Sequence, residues 1–330
     1  MSENLHGNGA ETNGFARSVA EFSNSDVPKS GEGKKKRLKG LLFESALIAL
    51  CIAVFCYAAY SIAERMLEAK RNNDSYDIIR PVETDSAVKR ASYLREPAQM
   101  LSMFDTLASN GVHETYTDQE IDVDETARRI YCYRNFKNFA ANNENAYAWI
   151  YMKYDCVNIN YPVMKMHNDN GYYLKHRYDG VYSDSGSIFA DGFMSDDYDT
   201  NMNNLIYGHC MKNGSMFRTI KTMLESANAS YVANRINIEI YTEKGLYIYK
   251  VLSGYRDGTF FFTQTVFDSS EEYYEFLKNC VKHNWLNVSR EFNAESRICT
   301  LVTCFNASND SPERYVINGI LTSFIPASSL

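Results

Sequence analysis

A broad excess of basic residues is missing from this chain. The net charge is -7 over 330 residues, which excludes the electrostatic footprint of a nucleic-acid binder. Its eight cysteines form no Cys-x-x-Cys pair and no zinc-ligand spacing, so the framework of a small metal-stapled module is absent. No cluster of acidic residues suits calcium and no other metal constellation is visible, so neither a metal nor a cofactor is expected. Internal repeats are lacking too, and the one low-complexity tract is the N-terminal tail. What remains is an ordinary 45% hydrophobic fraction, enough for a sizeable core in one or two domains.

The single concentrated basic run, Lys34-Lys35-Lys36-Arg37-Leu38-Lys39, stands directly before an apolar stretch from Leu41 to Ile62. As a helix at about 1.5 Å per residue that stretch spans about 33 Å, against a hydrocarbon core of roughly 30 Å. Its only charge, Glu44, lies near the start, where it can sit at the interface. A cleaved signal peptide fits less well, because a long polar segment precedes the run and no small-residue cleavage site follows. The reading is a single-pass signal anchor with a cytoplasmic N-terminus and the remainder extracellular, by the positive-inside rule.

The tail, residues 1–40, is expected to be disordered and cytoplasmic, since its Gly, Ser, Asn and Glu cannot offset the entropy of ordering. Residues 63–85 read as stalk and linker, with 64–70 continuing the helix and 72–84 extended around Pro81. Helical spacing marks 86–109 and 117–142, the second helix starting near Asp124 or Glu125. From Ala146 the pattern changes to short β-prone runs: 148–152, 160–163, 172–174, 187–189, 204–207, 236–241, 245–255, 298–303 and 315–323. Many short strands suggest a closed barrel or a sandwich. One helix, 268–285, interrupts them, with Asp268 or Ser269 as N-cap and Glu271 and Glu272 in its first turn. The domain proper is thus 86–330, with helices in 86–145 and the β structure in 146–330.

Chemistry concentrates near the C-terminal end. Thr300-Leu301-Val302-Thr303-Cys304 ends one β-prone run, and Arg314 opens the next, ten residues later. Upstream lies Ile206-Tyr207-Gly208-His209. A thiol, an imidazole and a fixed cation can together perform acyl transfer. A free thiol titrates near about 8.5, so little is thiolate at neutral pH. His209 can take its proton or protonate a leaving amine. Arg314 keeps its charge and can stabilise an oxyanion. Glu313 should face away from Arg314 in a regular strand, and by the same alternation Cys210 and Cys299 fall outside the site. The remaining ectodomain cysteines read mostly as reduced core or surface thiols.

This ordered set resembles the sortase family of bacterial cysteine transpeptidases. Gly186-Ser187-Ile188-Phe189, the block from Leu205 to His209, and Lys212-Asn213-Gly214-Ser215-Met216-Phe217 are similar to class B segments around the catalytic histidine. The helix at 268–285 is similar to the long helix that class B inserts before the strand bearing the nucleophile. The resemblance covers about Trp149 to Ile325. It implies a mainly β fold: a sortase-like closed β-barrel with N-terminal helices and one N-terminal transmembrane helix. It implies Cys304 as nucleophile, His209 as acid/base and Arg314 as oxyanion or substrate stabiliser. It further implies a substrate groove that includes Asn170, Leu174, Thr303, Phe261, Phe262 and Thr263. This chain departs from the family at Cys210, where Asn or His is frequent, at Val302, where Ser is frequent, and at Phe305, which replaces a more polar neighbour.

The resemblance also implies the reaction and its partners. A sorting signal of the NPxTx or SPKTG type on a surface protein is cleaved after Thr through a thioacyl-enzyme. The chain is then passed to a peptidoglycan stem or cross-bridge amine, carried on lipid II at the membrane lipid surface. A thiol endopeptidase using water, a pilin-polymerising enzyme and a surface-binding module without activity are the alternatives.

Overall fold

The structure, a computed structural model, describes residues 30–80, 123–304 and 312–330. It divides into two compact units, Met1–Ala63 and Glu64–Leu330. The described part of the first is helix: it lies within α1, which runs over Ser30–Ile79 and whose residues from Glu64 belong to the second unit. From Leu41 this helix is long and apolar enough to cross a membrane, and its side chains from Leu41 to Tyr60 are exposed.

In the second unit, α2 (Val123–Ala140) precedes β1 (Ala146–Tyr154) and β2 (Val157–Met164). There follow a single helical turn α3 (Tyr172–Lys175), β3 (Ile188–Ala190) and β4 (Asn203–Gly208). Two short helices, α4 (Arg218–Leu224) and α5 (Ala229–Arg235), lead into β5 (Asn237–Thr242) and β6 (Gly245–Asp257). The chain then forms α6 (Ser270–Lys282), β7 (Ile298–Cys304) and β8 (Arg314–Pro326). The strands close into a barrel in the order β1-β2-β3-β4-β7-β8-β6-β5.

Closure explains the unbroken apolar runs, because both faces of many strands are covered. In β1, Ala148, Ile150 and Met152 face the main core, while Trp149 and Tyr151 join a second cluster with Cys132, Phe136 and Phe139 of α2. A third cluster lies under α6, where Tyr273, Phe276, Leu277 and Cys280 pack on Leu252, Ile298 and Ile320. The cap of α6 is Ser269, whose hydroxyl accepts from the Glu272 amide at 3.1 Å, while the Glu272 carboxylate reaches back to the Asp268 amide at 2.6 Å.

Two expectations change. Residues 172–174 form a turn of helix rather than a strand: Tyr172 and His176, four apart, stack with ring centroids 4.2 Å apart, a helical spacing. Residues 72–79 are helix rather than linker, because Asn72 and Tyr76 are buried against the barrel unit. The expected helix over 86–109 lies outside the described residues. Cys51, Cys56, Cys132, Cys156, Cys210, Cys280 and Cys299 are free thiols.

One buried ion cluster fastens α2 to the barrel. Arg128 donates both Nη atoms to Glu239 at 2.8 Å, Arg129 Nε donates at 3.0 Å and Tyr241 donates at 2.6 Å. Burial alone would raise the Glu239 carboxyl, but the Arg128 hydrogen bonds and the two positive charges outweigh it and hold the group below its ordinary value. That stabilisation is present above the unfolded glutamate value and is lost as pH falls through the lower folded one. Replacing Arg128 by Met should destabilise the domain by about 3 kcal/mol at neutral pH, since it strips a buried carboxylate of its bidentate partner. Thermal unfolding at pH 7 and pH 4 checks this, with the difference between wild type and variant narrowing in acid.

Candidate active site

The site is built from the ends of three adjacent strands. β4 and β7 run parallel, with Leu205 opposite Thr300 and Gly208 opposite Thr303. β7 and β8 run antiparallel, with Cys304 paired to Arg314. His209 is the first residue after β4. Cys304 is the last of β7, the middle strand, and Arg314 is the first of β8. The backbone thus gathers all three candidates at one end of the barrel, with Cys304 on the strand between the other two.

Local packing explains the residues around His209. A Cβ on Gly208 would fall 2.7 Å from the ring of the buried Phe217, so the small residue is what lets that ring close over the strand end. Phe217 returns there through a turn in which Gly214 has φ +90° and Ser215 N donates to Asn213 Oδ1 at 3.1 Å. The Phe217 amide donates to the His209 carbonyl at 3.0 Å.

The partly buried imidazole of His209 is held from the side. Its Nε2 lies 2.8 Å from the Leu174 carbonyl, which accepts the proton and leaves Nδ1 as the ring's basic nitrogen. Burial lowers its pKa below the ordinary histidine value. The Leu174 carbonyl opposes that shift, Lys175 reinforces it and Asp184 opposes it. Lys175 and Asp184 are themselves paired at 3.0 Å.

Arg314 donates from Nη1 to the Glu313 carbonyl at 2.9 Å, and its guanidinium carbon lies 5.5 Å from the centre of the Phe260 ring. The Glu313 carboxylate pairs with Arg256 at 3.1 Å, on another side chain altogether. Phe260 was not picked out by sequence reasoning. It is 40% exposed and takes a left-handed backbone, φ +63°, an uncommon state for a bulky residue. Asp257 holds it there, accepting from the amides of Thr259 at 2.7 Å and Phe260 at 2.9 Å. The Asp257-Gly258 pair was the available signal.

The expected groove residues divide. Leu174 is 40% exposed and adjoins His209 through its carbonyl. Asn170 has its side chain occupied, Nδ2 on Asp191 at 2.8 Å and Oδ1 on the Gly192 amide at 2.6 Å. Thr303 is buried, its hydroxyl without a partner among the described residues. Phe262 is fully buried in the core, and the half-buried Phe261 stacks on Tyr255. The Thr263 hydroxyl is taken by the Phe260 carbonyl at 2.8 Å. The exposed lip of this turn is Phe260.

Two of the other thiols are poor competitors. Cys299 is buried, and burial pushes it far up; Cys280 is likewise pushed up to about 12. Cys210 is buried too, with Arg218 Nη1 at 3.7 Å from its sulfur. Among the described residues no group of His, Cys, Asp and Glu is placed to hold a metal.

The Lys175→Ala variant should raise the His209 pKa toward the ordinary value, because it removes a nearby cation and leaves Asp184 unpaired. An NMR titration of the imidazole carbons reads that shift, and a fall would contradict the opposing roles of Lys175 and Asp184.

No family model matches the chain. Sortase B of Listeria monocytogenes is 28% identical over 172 residues, 50% of this chain and 65% of the relative, just under two thirds of its length. The solved structure of sortase B from B. anthracis is 30% identical, with a TM-score of 0.50, covering 57% of this chain and 84% of that one. A mutant form of Clostridium perfringens sortase B is 26% identical, with a TM-score of 0.52, over 59% of this chain and 90% of that one. With this barrel, and with the YGH, TLVTC and Arg314 segments meeting at one end of it, the chain belongs to the sortase family, class B.

Proposed function

We propose that this protein is a membrane-anchored cysteine transpeptidase in which Cys304, His209 and Arg314 carry the reaction. The observation that supports the reading most directly is the strand register, which sets Cys304 opposite Arg314 and beside the strand leading to His209. Leu41 to Ile62 anchors the chain, with residues 1–40 on the cytoplasmic side and 63–330 outside.

In the first half-reaction the Cys304 sulfur attacks the carbonyl carbon of Thr in a sorting signal of the NPxTx or SPKTG type. The carbonyl oxygen gains charge and Arg314 stabilises it. The thiol proton passes to His209 Nδ1, the nitrogen that the Leu174 carbonyl leaves free, and His209 then protonates the departing amine. A thioester to Cys304 remains. In the second half-reaction an amine of a peptidoglycan stem or cross-bridge attacks that thioester. His209 takes its proton, the new amide forms and the thiol is restored. The depressed His209 pKa keeps the imidazole neutral, and so ready as a base, at neutral pH.

The experiment is a fluorogenic panel with NPQTN, SPKTG, PPKTG and LPETG cores, run on the full chain in detergent with and without a cell-wall peptide amine. The reading expects cleavage after Thr of an NPxT or PKT core, amine-linked product, and loss of both in Cys304→Ala. Arg314→Lys should lower kcat by about a hundredfold or more, the usual cost of removing an oxyanion donor. Cleavage that survives Cys304→Ala would overturn the nucleophile, and product formed only with water would make the protein a thiol endopeptidase.

A further inference from the structure

The end of α1 does more than tether the barrel. Tyr76 is 1% exposed, its ring packed between Tyr161 and Tyr178, with centroids 5.2 Å from each. Its hydroxyl donates to the Gly186 carbonyl at 3.1 Å and lies 3.1 Å from Ser187 Oγ. Burial pushes the phenol far above its ordinary pKa, so it remains a donor. Two further contacts join the same helix to the same segment. The Glu68 carboxylate accepts from the Asp184 amide at 3.0 Å, and Tyr178 donates to the Ser75 carbonyl at 3.0 Å.

Segment 173–187 is the one that holds His209. Gly186, at φ +52°, lies so close under α3 that a Cβ there would sit 2.5 Å from the Tyr173 carbonyl oxygen and 2.6 Å from that of Leu174. The next amide, Ser187 N, donates to the Tyr173 carbonyl at 2.9 Å, and Ser187 Oγ donates to the His176 carbonyl at 3.0 Å. The Leu174 carbonyl in turn accepts from His209 Nε2 at 2.8 Å. A continuous path of close contacts therefore runs from Tyr76 through Gly186 and Ser187 to α3 and the imidazole.

We propose that Tyr76 is a positioning residue for His209: by fixing Gly186 and Ser187 beneath α3, the Glu64–Ile79 part of α1 holds the Leu174 carbonyl where it selects the Nε2–H tautomer. This rests on the reading of His209 as the acid/base. The helix that continues the membrane anchor is then part of the catalytic apparatus, and a chain cut after it would keep its three reacting groups but lose their alignment.

The test uses the full chain in detergent micelles with 15N-labelled histidine, His209 being assigned by His209→Gln. Wild type, Tyr76→Phe and Tyr198→Phe are compared. Tyr198→Phe removes another buried hydroxyl, bonded to Tyr249 at 2.8 Å, elsewhere in the barrel. Imidazole tautomer is read by NMR, and kcat and KM are read separately on a fluorogenic peptide with an NPQTN core. Wild type and Tyr198→Phe should hold the proton on Nε2. In Tyr76→Phe a population with the proton on Nδ1 should appear and kcat should fall about threefold to tenfold, the range of one net hydrogen bond, at unchanged KM. A wild-type tautomer and kcat in Tyr76→Phe would overturn the proposal, as would an equal tautomer shift in Tyr198→Phe. A tautomer shift confined to Tyr76→Phe in a protein showing no Cys304-dependent cleavage would support the positioning role and count against the transpeptidase reading alone.

Discussion

The parallel pairing of β4 with β7 is the constraint on which the rest depends. These strands are distant in sequence, and only their register brings the end of a Tyr-Gly-His run beside a strand that terminates in Cys304. The antiparallel partner β8 then sets Arg314 across from the cysteine. A slip of one residue in either pair would turn alternate side chains to the other face and separate the groups. The register is secured where both faces are buried, by Leu205, Ile206, Leu301, Val302, Val316 and Ile317 in the main core.

Around that row the barrel supplies supports from outside its strands. Phe217 folds over Gly208 and fixes the start of the histidine loop. Leu174 holds the imidazole through a backbone oxygen, so the side chain at that position is free for another use. Phe260, pinned in a left-handed conformation by Asp257, puts an aromatic face beside the Arg314 guanidinium. Each support belongs to a turn or single-turn helix, tied by a mixture of backbone and side-chain to backbone hydrogen bonds.

Much of this was legible in sequence for physical reasons. Runs such as Ile298 to Thr303 and Tyr315 to Ser323 announce strands, and the ten residues from Cys304 to Arg314 announce two strand ends brought side by side. A cap at Asp268 or Ser269 was legible from the acidic first turn that follows, and the structure places it on Ser269. Other features were not. Residues 172–174 are three apolar positions, too few to tell strand from helix until the stacking of Tyr172 on His176 decides. Phe262 reads like its neighbours, yet it is core, and Phe260 is exposed only because of a backbone state that composition does not reveal. The stretch from Asn72 reads as a linker because the partners that bury it, Gly186 and Ser187, lie more than a hundred residues away. Helices α4 and α5 are each seven residues long, too short for a periodic signal.

The cysteines give the account its sharpest exposure to test. Cys132, Cys210, Cys280 and Cys299 are all buried, and one of them directly follows His209. The most direct measurement is therefore intact-protein and peptide-level mass spectrometry of the full chain, quenched in acid during turnover of a sorting-signal peptide. The account predicts a thioester adduct on Cys304 alone, of the mass of the peptide up to and including Thr. An adduct on Cys210, or turnover with no protein-bound intermediate, would contradict it.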